Sequence, residues 1–352
     1  MHGMKTRIEK INPNNIDKNI MREAGEILKK GGLVAFPTET VYGLGANALN
    51  EEAAMKTYAA KGRPSDNPLI VHIADMSYLP AITENVPEIT NKIAETFWPG
   101  PITMIFDKSS IVPHGTTGGL DTVAVRMPSD EIARELILAG GGYVSAPSAN
   151  TSGRPSPTTA EHVAEDLSGK IEMIIDGGSV EIGVESTILD MTVTPPMILR
   201  PGAITKEMLE ELIGEVSVDK TIMDGNSKQA PKAPGMKYRH YAPKADLSIV
   251  EGKEDEVISF INKTVKEKID AGYKVGIIGT EETISKYECG VIKSVGTRED
   301  EMTIAGHLYG ILREFDSDGV DFIYSESFAA DGIGSAVMNR LLKAAGHSVI
   351  RL

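Results

Sequence analysis

Lys61 and Arg63 stand two residues apart in the run Lys61-Gly-Arg-Pro-Ser-Asp-Asn-Pro-Leu-Ile-Val-His72, and the polar residues Ser65, Asp66 and Asn67 follow at once. An ammonium is a compact charge and a guanidinium a planar fork, so two such groups on one loop suit a polyphosphate. Pro64 pushes Arg63 out of helical geometry. The segment therefore reads as a helix end that leaves through a loop and enters a strand carrying His72, with both cations exposed on the loop. Taken alone, the same run also describes an ordinary basic helix C-terminus favoured by the helix dipole.

Three further stretches carry chemistry. Arg126 lies inside the apolar run Thr122-Val-Ala-Val-Arg-Met127. A charge in a strand core is costly unless it is paired or faces a cleft, which leaves a buried salt bridge and an anionic ligand as the two readings. Pro37-Thr-Glu-Thr-Val-Tyr-Gly-Leu-Gly45 places two threonines, a glutamate and a tyrosine between a strand and two glycines. Such glycines let a ligand approach the backbone or simply allow a turn. Ser145-Ala-Pro-Ser-Ala-Asn150, with Ser156 soon after, offers small hydroxyls and an amide at a strand end, suited to phosphate and ribose or to helix capping.

The elements that must hold these residues alternate irregularly. Helical spacing marks 17–30, which stops at Gly31-Gly32, then 51–60, 87–98, 131–139 and 205–213; a further helix opens after Pro157. Short apolar runs at 33–36, 69–73, 102–106, 122–127, 173–176, 186–191 and 197–200 read as strands. The pattern predicts a mixed, twisted α/β sheet domain over 1–214, with a concave site. Residues 215–244 are rich in Pro, Gly and polar residues and read as a linker. They also carry Lys228, Lys232, Lys237, Arg239, His240 and Lys244 with Tyr238 and Tyr241, a basic and aromatic composition fit for a lid over an anion. Residues 245–352 read as a small βαβ, Rossmann-like domain. Gly332-Ile-Gly-Ser resembles a dinucleotide loop but lacks the third glycine and comes late, so it is read as helix packing.

Composition narrows the function classes. A chain of 352 residues with 41% hydrophobic content supports two cores. A single cysteine, Cys289, excludes an internal disulfide and a cysteine-based metal site. The net charge of -14 argues against a phosphate-gripping nucleic-acid surface, although a local basic cleft is compatible with it. No apolar run reaches membrane-spanning length and the start lacks an apolar signal core, so a cytoplasmic protein without membrane contact is expected.

Together, Pro37-Thr-Glu-Thr-Val-Tyr-Gly-Leu, Lys61-Gly-Arg-Pro with Asn-Pro-Leu following, Trp98-Pro-Gly-Pro and Ser145-Ala-Pro-Ser-Ala-Asn are highly specific. The chain resembles the YrdC-domain family in its long, two-domain form, over its whole length, with the Lys-x-Arg (Lys61, Arg63) and Ser-x-Asn (Ser148, Asn150) pieces intact. The resemblance implies a nucleotidyltransferase that makes threonylcarbamoyl-AMP and pyrophosphate from L-threonine, bicarbonate or carbon dioxide, and ATP. The product would feed threonylcarbamoylation of the tRNA adenosine at position 37, beside the anticodon. A partner transferase complex would carry out that transfer, so this chain meets tRNA only indirectly. Mg2+ is implied with ATP, held largely by substrate and water, with no protein ligand assigned; Glu39 and Glu185 are possible contributors through water.

The same resemblance implies the residue roles. Arg126 and His72 would take the threonine carboxylate; Thr40, Ser186 and the backbone at Ala146 would fix its amino group and hydroxyl. Lys61 and Arg63 would be the catalytic cations on the triphosphate, with Asn67 beside them. Thr122, Ser148, Asn150, Ser156 and Arg200 would position the nucleotide, and Tyr241 would close over it from the linker. Two alternatives remain: a non-catalytic YrdC-like module that binds RNA, and a carbamoyl transferase of hydrogenase maturation, whose cysteine-zinc segments one cysteine cannot supply.

Overall fold

A computed structural model describes residues 4–222, 233–234 and 240–352; the expected lid residues Lys228, Lys232, Lys237, Tyr238 and Arg239 lie outside the described residues. Contacts divide the described chain into two compact units. One holds residues up to Ser152, then Ser156–Ile222 and the pair 233–234; the other holds Gly153–Pro155 and everything from His240 onward.

The first unit is built on a twelve-stranded mixed sheet. Its strands are β1 (Arg7–Lys10), β2 (Val34–Phe36), β3 (Gly43–Asn47), β4 (Ile70–His72), β5 (Thr83–Glu84), β6 (Ile102–Lys108), β7 (Thr122–Arg126), β8 (Val144–Ser145), β9 (Met173–Asp176), β10 (Thr187–Asp190), β11 (Met197–Arg200) and β12 (Ser217–Val218). They run in the order β1-β9-β2-β3-β8-β4-β7-β6-β10-β11-β12, with β5 paired to β6. The central strands are buried on both faces, which is why they read as continuous apolar runs rather than alternating ones.

Helices cover the sheet where their apolar stripes dictate. Helix α1 (Lys18–Lys29) is capped by Asp17, whose side chain accepts from the Asn19 and Ile20 amides. It buries Met21, Ala24, Gly25 and Leu28, and a Cβ added at Gly25 would lie 2.4 Å from the Ala139 carbonyl oxygen. The glycine thus sets how closely α1 approaches the helix Glu131–Ala139. Helix α2 (Glu51–Lys61) starts on the Asn50 side chain, carries Glu51 and Glu52 in its first turn and Lys61 in its last, and ends on Gly62 at φ 61°. That left-handed residue turns the chain toward β4. On one flank of the sheet the core gathers Phe36, Leu28, Leu136 and Ile175; on another it gathers Val71, Ile73, Trp98, Phe106 and Val125.

One element is added here. The sequence marks the glycines of 37–45 for a ligand approach or a turn and marks no strand there, but Gly43–Asn47 is a strand pairing antiparallel with both β2 and β8. A Cβ at Gly45 would sit 2.9 Å from the Val34 carbonyl oxygen, so that glycine serves close strand packing.

The second unit is a parallel five-stranded sheet of β13 (Asp246–Glu251), β14 (Val275–Gly279), β15 (Val291–Ser294), β16 (Phe322–Glu326) and β17 (Val349–Arg351), ordered β15-β14-β16-β13-β17. Helices Glu254–Asp270, Glu301–Asp318 and Gly332–Ala344 supply the crossovers. At Gly334 an added Cβ would meet the Ala329 carbonyl oxygen at 2.6 Å, in keeping with the packing reading there, whereas Gly332 has open space around it and is a glycine for its φ of 51°. Among the described residues no helix is long and apolar enough to cross a membrane.

Candidate active site

The turn between β2 and β3 is held from within. The Thr38 hydroxyl donates to the Val41 carbonyl at 2.7 Å and accepts from the Thr40 and Val41 amides. Its proton being committed, the 2.9 Å contact between the Thr38 and Thr40 hydroxyls requires Thr40 to donate. Thr40 in turn accepts from Arg126 Nη1 at 2.9 Å. From the other side, the Ile182 and Gly183 amides donate to the Glu39 and Thr40 carbonyls at 2.9 and 3.0 Å. The polar side chains of this turn are therefore positioned before any ligand arrives.

Arg126 ends β7 and is buried, as is Glu39; their Nη2 and Oε1 atoms lie 2.8 Å apart, with both side chains about 5% exposed. The approach is close but off the N–H direction, so it is a charge contact without a directed hydrogen bond. Among the described residues, neither Glu39 oxygen receives a hydrogen bond, and Arg126 Nε and Nη2 donate none. Buried ionic groups left in this state are costly, and native structures keep them where something else completes them.

His72 stands opposite Arg126 in the β4–β7 register, with its Nδ1 3.1 Å from the Ile70 carbonyl oxygen. Burial first, and the Arg126 charge second, push its pKa down to about 3. At neutral pH it is an uncharged imidazole and adds no positive charge to that of Arg126. Across the next pairing, Thr103 of β6 sits opposite Arg126, and its hydroxyl is 2.8 Å from the Ser186 hydroxyl. Arg200 donates to Ser186 twice, from Nε to the carbonyl at 3.0 Å and from Nη2 to the hydroxyl at 3.1 Å, and from Nη1 to the Pro234 carbonyl at 3.3 Å. Thr40, His72, Arg126 and Ser186 thus form one connected group, and Arg200 braces its Ser186 end. Ala146 lies on the neighbouring strand end, its amide bonded to the Ile70 carbonyl at 2.9 Å.

A second group surrounds Lys61. The expectation of two exposed cations on a loop does not hold: Lys61 is 1% exposed and Arg63 is 8% exposed. Lys61 is the last residue of α2, and its ammonium reaches across to the carbonyl oxygens of Ser148 and Asn150 and the Asn150 side-chain oxygen. Carbonyl dipoles solvate the buried charge. Beyond Gly62, Arg63 folds back to the Asn67 and Pro68 carbonyls at 3.3 and 3.1 Å. The Lys-x-Arg and Ser-x-Asn pieces are therefore physically joined through Lys61, which sequence spacing alone does not reveal. Asn67 is buried with its side-chain oxygen unpaired among the described residues. Ser148 also bridges Gly43, and the Ser156 hydroxyl donates to Glu185 at 2.5 Å. Thr122 is half-buried at the opposite end of β7 from Arg126.

A cavity of about 370 Å3 borders Glu39 and is lined by Pro37, Asp130, Glu131, Gly177 and Glu181 among others. Burial, helped by the Glu39 and Glu181 charges, raises the Asp130 pKa to about 6 against the Ala133 amide bond that lowers it. Neither Asp130 nor Glu181 is marked by the sequence, and Glu39 is marked only by its place between two threonines and as a contributor to Mg2+ through water. Tyr241 belongs to the second unit. There it adopts φ 63°, is buried, and lies 5.3 Å from the Tyr309 ring with Arg340 5.9 Å above its own.

Comparison with known proteins places this arrangement. A family model described as telomere recombination (Sua5, YciO and YrdC) matches residues 26–202, and one described as the C-terminal domain of threonylcarbamoyl-AMP synthase matches residues 204–346. The chain belongs to the Sua5/YciO/YrdC family. It is 49% identical to the threonylcarbamoyl-AMP synthase of Pyrococcus abyssi, over 94% of this chain and 96% of that one. The enzyme of the same name from Bacillus subtilis is 51% identical over 94% of each chain. A solved structure of P. abyssi Sua5 complexed with L-threonine superposes with a TM-score of 0.93 at 47% identity, covering 99% of this chain and all of that one. Each of these matches extends over nearly all of this chain.

Proposed function

We propose that this protein is an L-threonylcarbamoyladenylate synthase, a nucleotidyltransferase that converts L-threonine, bicarbonate or carbon dioxide, and ATP into threonylcarbamoyl-AMP and pyrophosphate. Near full-length identity of about half to synthases of that name supports the reading. The observation that carries it to particular residues is the buried Arg126, whose Nε and Nη2 lack acceptors among the described residues beside the Thr40 hydroxyl.

In this reading the threonine carboxylate completes Arg126 by charge-assisted bonds. Thr40, Ser186 and the backbone at Ala146 orient its hydroxyl and amine, with neutral His72 as a polar wall. A site that hydrogen-bonds a substrate hydroxyl discriminates strongly against an isostere that lacks it, so valine is rejected. Lys61, Arg63 and Asn67 border the triphosphate, and Thr122, Ser148, Asn150, Ser156 and Arg200 serve the nucleotide. Because its charge is already shared with three oxygens, Lys61 acts chiefly by holding the 148–150 turn in place for the phosphates.

The neutral threonine amine attacks carbon dioxide, and a carbamate oxygen then attacks the α-phosphorus in line, releasing pyrophosphate. Orientation and charge neutralisation supply the catalysis. Mg2+ would arrive on ATP, held largely by substrate and water, and would offset charge on the leaving pyrophosphate. The adenylate then passes to a tRNA-modifying transferase complex in the cytoplasm, with tRNA met only indirectly.

The test is pyrophosphate release from ATP and bicarbonate across a panel of amino acids. Threonine-dependent release, with serine weak and valine nearly inactive, is expected. Release that ignores the amino acid would reject the reading.

A further inference from the structure

Glu39 is the part of the site that a carboxylate-binding role does not explain. A pocket meant only to hold an anion on Arg126 would be weakened by a buried carboxylate 2.8 Å from the same guanidinium, since the two anions compete for it. Nor is Glu39 placed to solidify the fold. Both of its side-chain oxygens lack donors among the described residues, and its contact with Arg126 is not a directed bond. Its backbone is nonetheless fixed by the Ile182 amide, and the residue borders the cavity beside Asp130 and Glu181 while its carboxylate oxygens stay buried.

An α-amino acid resolves the conflict. It carries an ammonium and a carboxylate on one carbon, a cation and an anion side by side, where Arg126 and Glu39 present the opposite signs side by side. Seated on the pair, the four charges alternate and every buried donor and acceptor gains a partner. We propose that Glu39 receives the α-amino group of the substrate, its carboxylate accepting from the ammonium while Arg126 takes the carboxylate. The inference rests on the threonine reading and adds to it a residue that decides for an amine.

The placement also gives the first proton a destination. The ammonium transfers one proton to a Glu39 oxygen, leaving a neutral amine and a carboxylic acid. The nitrogen lone pair then bonds to the carbon of carbon dioxide as one C=O pair moves to oxygen. The remaining excess N–H proton leaves to water, so ammonium and carbon dioxide become carbamate and two protons. Glu39 returns its own proton to water through the cavity it borders.

The experiment is calorimetric titration of the full-length protein with threonine and with 3-hydroxybutanoate, which keeps the carboxylate and hydroxyl but has no amine. Glu39→Gln is expected to weaken threonine about 30-fold, the range lost with a charge-assisted hydrogen bond, and to leave 3-hydroxybutanoate unchanged or tighter. Glu39→Asp, which keeps the charge one methylene further away, is expected to fall between. If Glu39 merely balances Arg126, both ligands change alike in Glu39→Gln, and the inference is overturned. Should Glu39→Gln fail to fold, the threonine-to-hydroxybutanoate ratio in Glu39→Asp decides: a fall supports the inference and an unchanged ratio overturns it. Wild-type protein that binds no threonine sinks the threonine reading itself, whereas equal threonine binding by wild type and Glu39→Gln sinks only this inference.

Discussion

Each unit of the protein contains a buried glutamate paired with an arginine at the end of a parallel-paired strand, and the two pairs could hardly be kept more differently. In the second unit, Glu326 ends β16 and is fully provided for. Its Oε1 accepts from the Thr283 and Tyr287 hydroxyls at 2.5 and 2.6 Å, and its Oε2 accepts from Arg298 at 2.7 Å. Arg298 also donates to the Ser327 carbonyl at 3.0 Å and lies over the Phe328 ring. In the first unit, Glu39 and Arg126 are as close, yet most of their polar atoms lack partners among the described residues. A satisfied network of this kind rigidifies a fold; an unsatisfied one costs stability and persists where a ligand completes it. Buried charge alone does not mark a site. Its unfinished hydrogen bonding does.

Four substitutions would break or sharpen that contrast. The largest effect is expected of Arg126→Ala. Truncating one partner of a buried charge pair costs about 2–5 kcal/mol, so the threonine KM should rise about 100-fold or more while the ATP KM moves little. Equal loss for both substrates, measured by pyrophosphate release, would detach Arg126 from threonine.

The next concerns His72. Its folded pKa is depressed to about 3 from an ordinary 6.5, so the unfolded chain binds the proton first as the medium is acidified. This group therefore adds to folding stability above pH 6.5 and withdraws that contribution as pH falls from 6.5 toward 3. His72→Gln should flatten that part of the acid limb in denaturant titrations. An unchanged limb would show that His72 is not buried in its neutral form.

Glu326→Gln should destabilise the second unit by about 1–3 kcal/mol, because Arg298 loses its ionic partner and two hydroxyls lose a strong acceptor. The threonine KM should stay where it is. A shift in that KM would mean that the satisfied pair is not merely structural.

The smallest effect is at Asp130. Its pKa is raised to about 6, so its contribution to stability is complete below the ordinary value of 3.8 and is lost as pH rises through 6. Asn caps a helix about as well as Asp, so Asp130→Asn should keep the bond to the Ala133 amide and raise stability at pH 7.5 by about 1 kcal/mol. Thermal melts at pH 5 and 7.5 would check it, with the gain larger at the higher pH.

Much of the fold is legible in the sequence because its signals are local. The helix Glu131–Ala139 is readable to the residue, and α1 to within one, since Asp130 and Asp17 cap them and glycine follows. Strands such as Val34–Phe36 and Thr122–Arg126 announce themselves by unbroken apolar runs. By contrast, β3 is hidden in Gly43–Asn47, where two glycines imitate a loop and only pairing with β2 and β8 makes a strand. The site is legible in its residue types and not in its connections. Arg126 stands out as a charge in an apolar strand, whereas the burial of Lys61 depends on carbonyls almost ninety residues away in the chain. Glu39 is named from the sequence only as a contributor to Mg2+ through water, because the significance the structure gives it lies in bonds it does not make.

The most direct measurement is threonine binding by calorimetry, compared among wild type, Arg126→Ala and Glu326→Gln. Saturable binding that Arg126→Ala abolishes and Glu326→Gln leaves intact is the predicted result. Threonine bound equally well by Arg126→Ala would contradict the claim that the unfinished pair in the first unit is the substrate site.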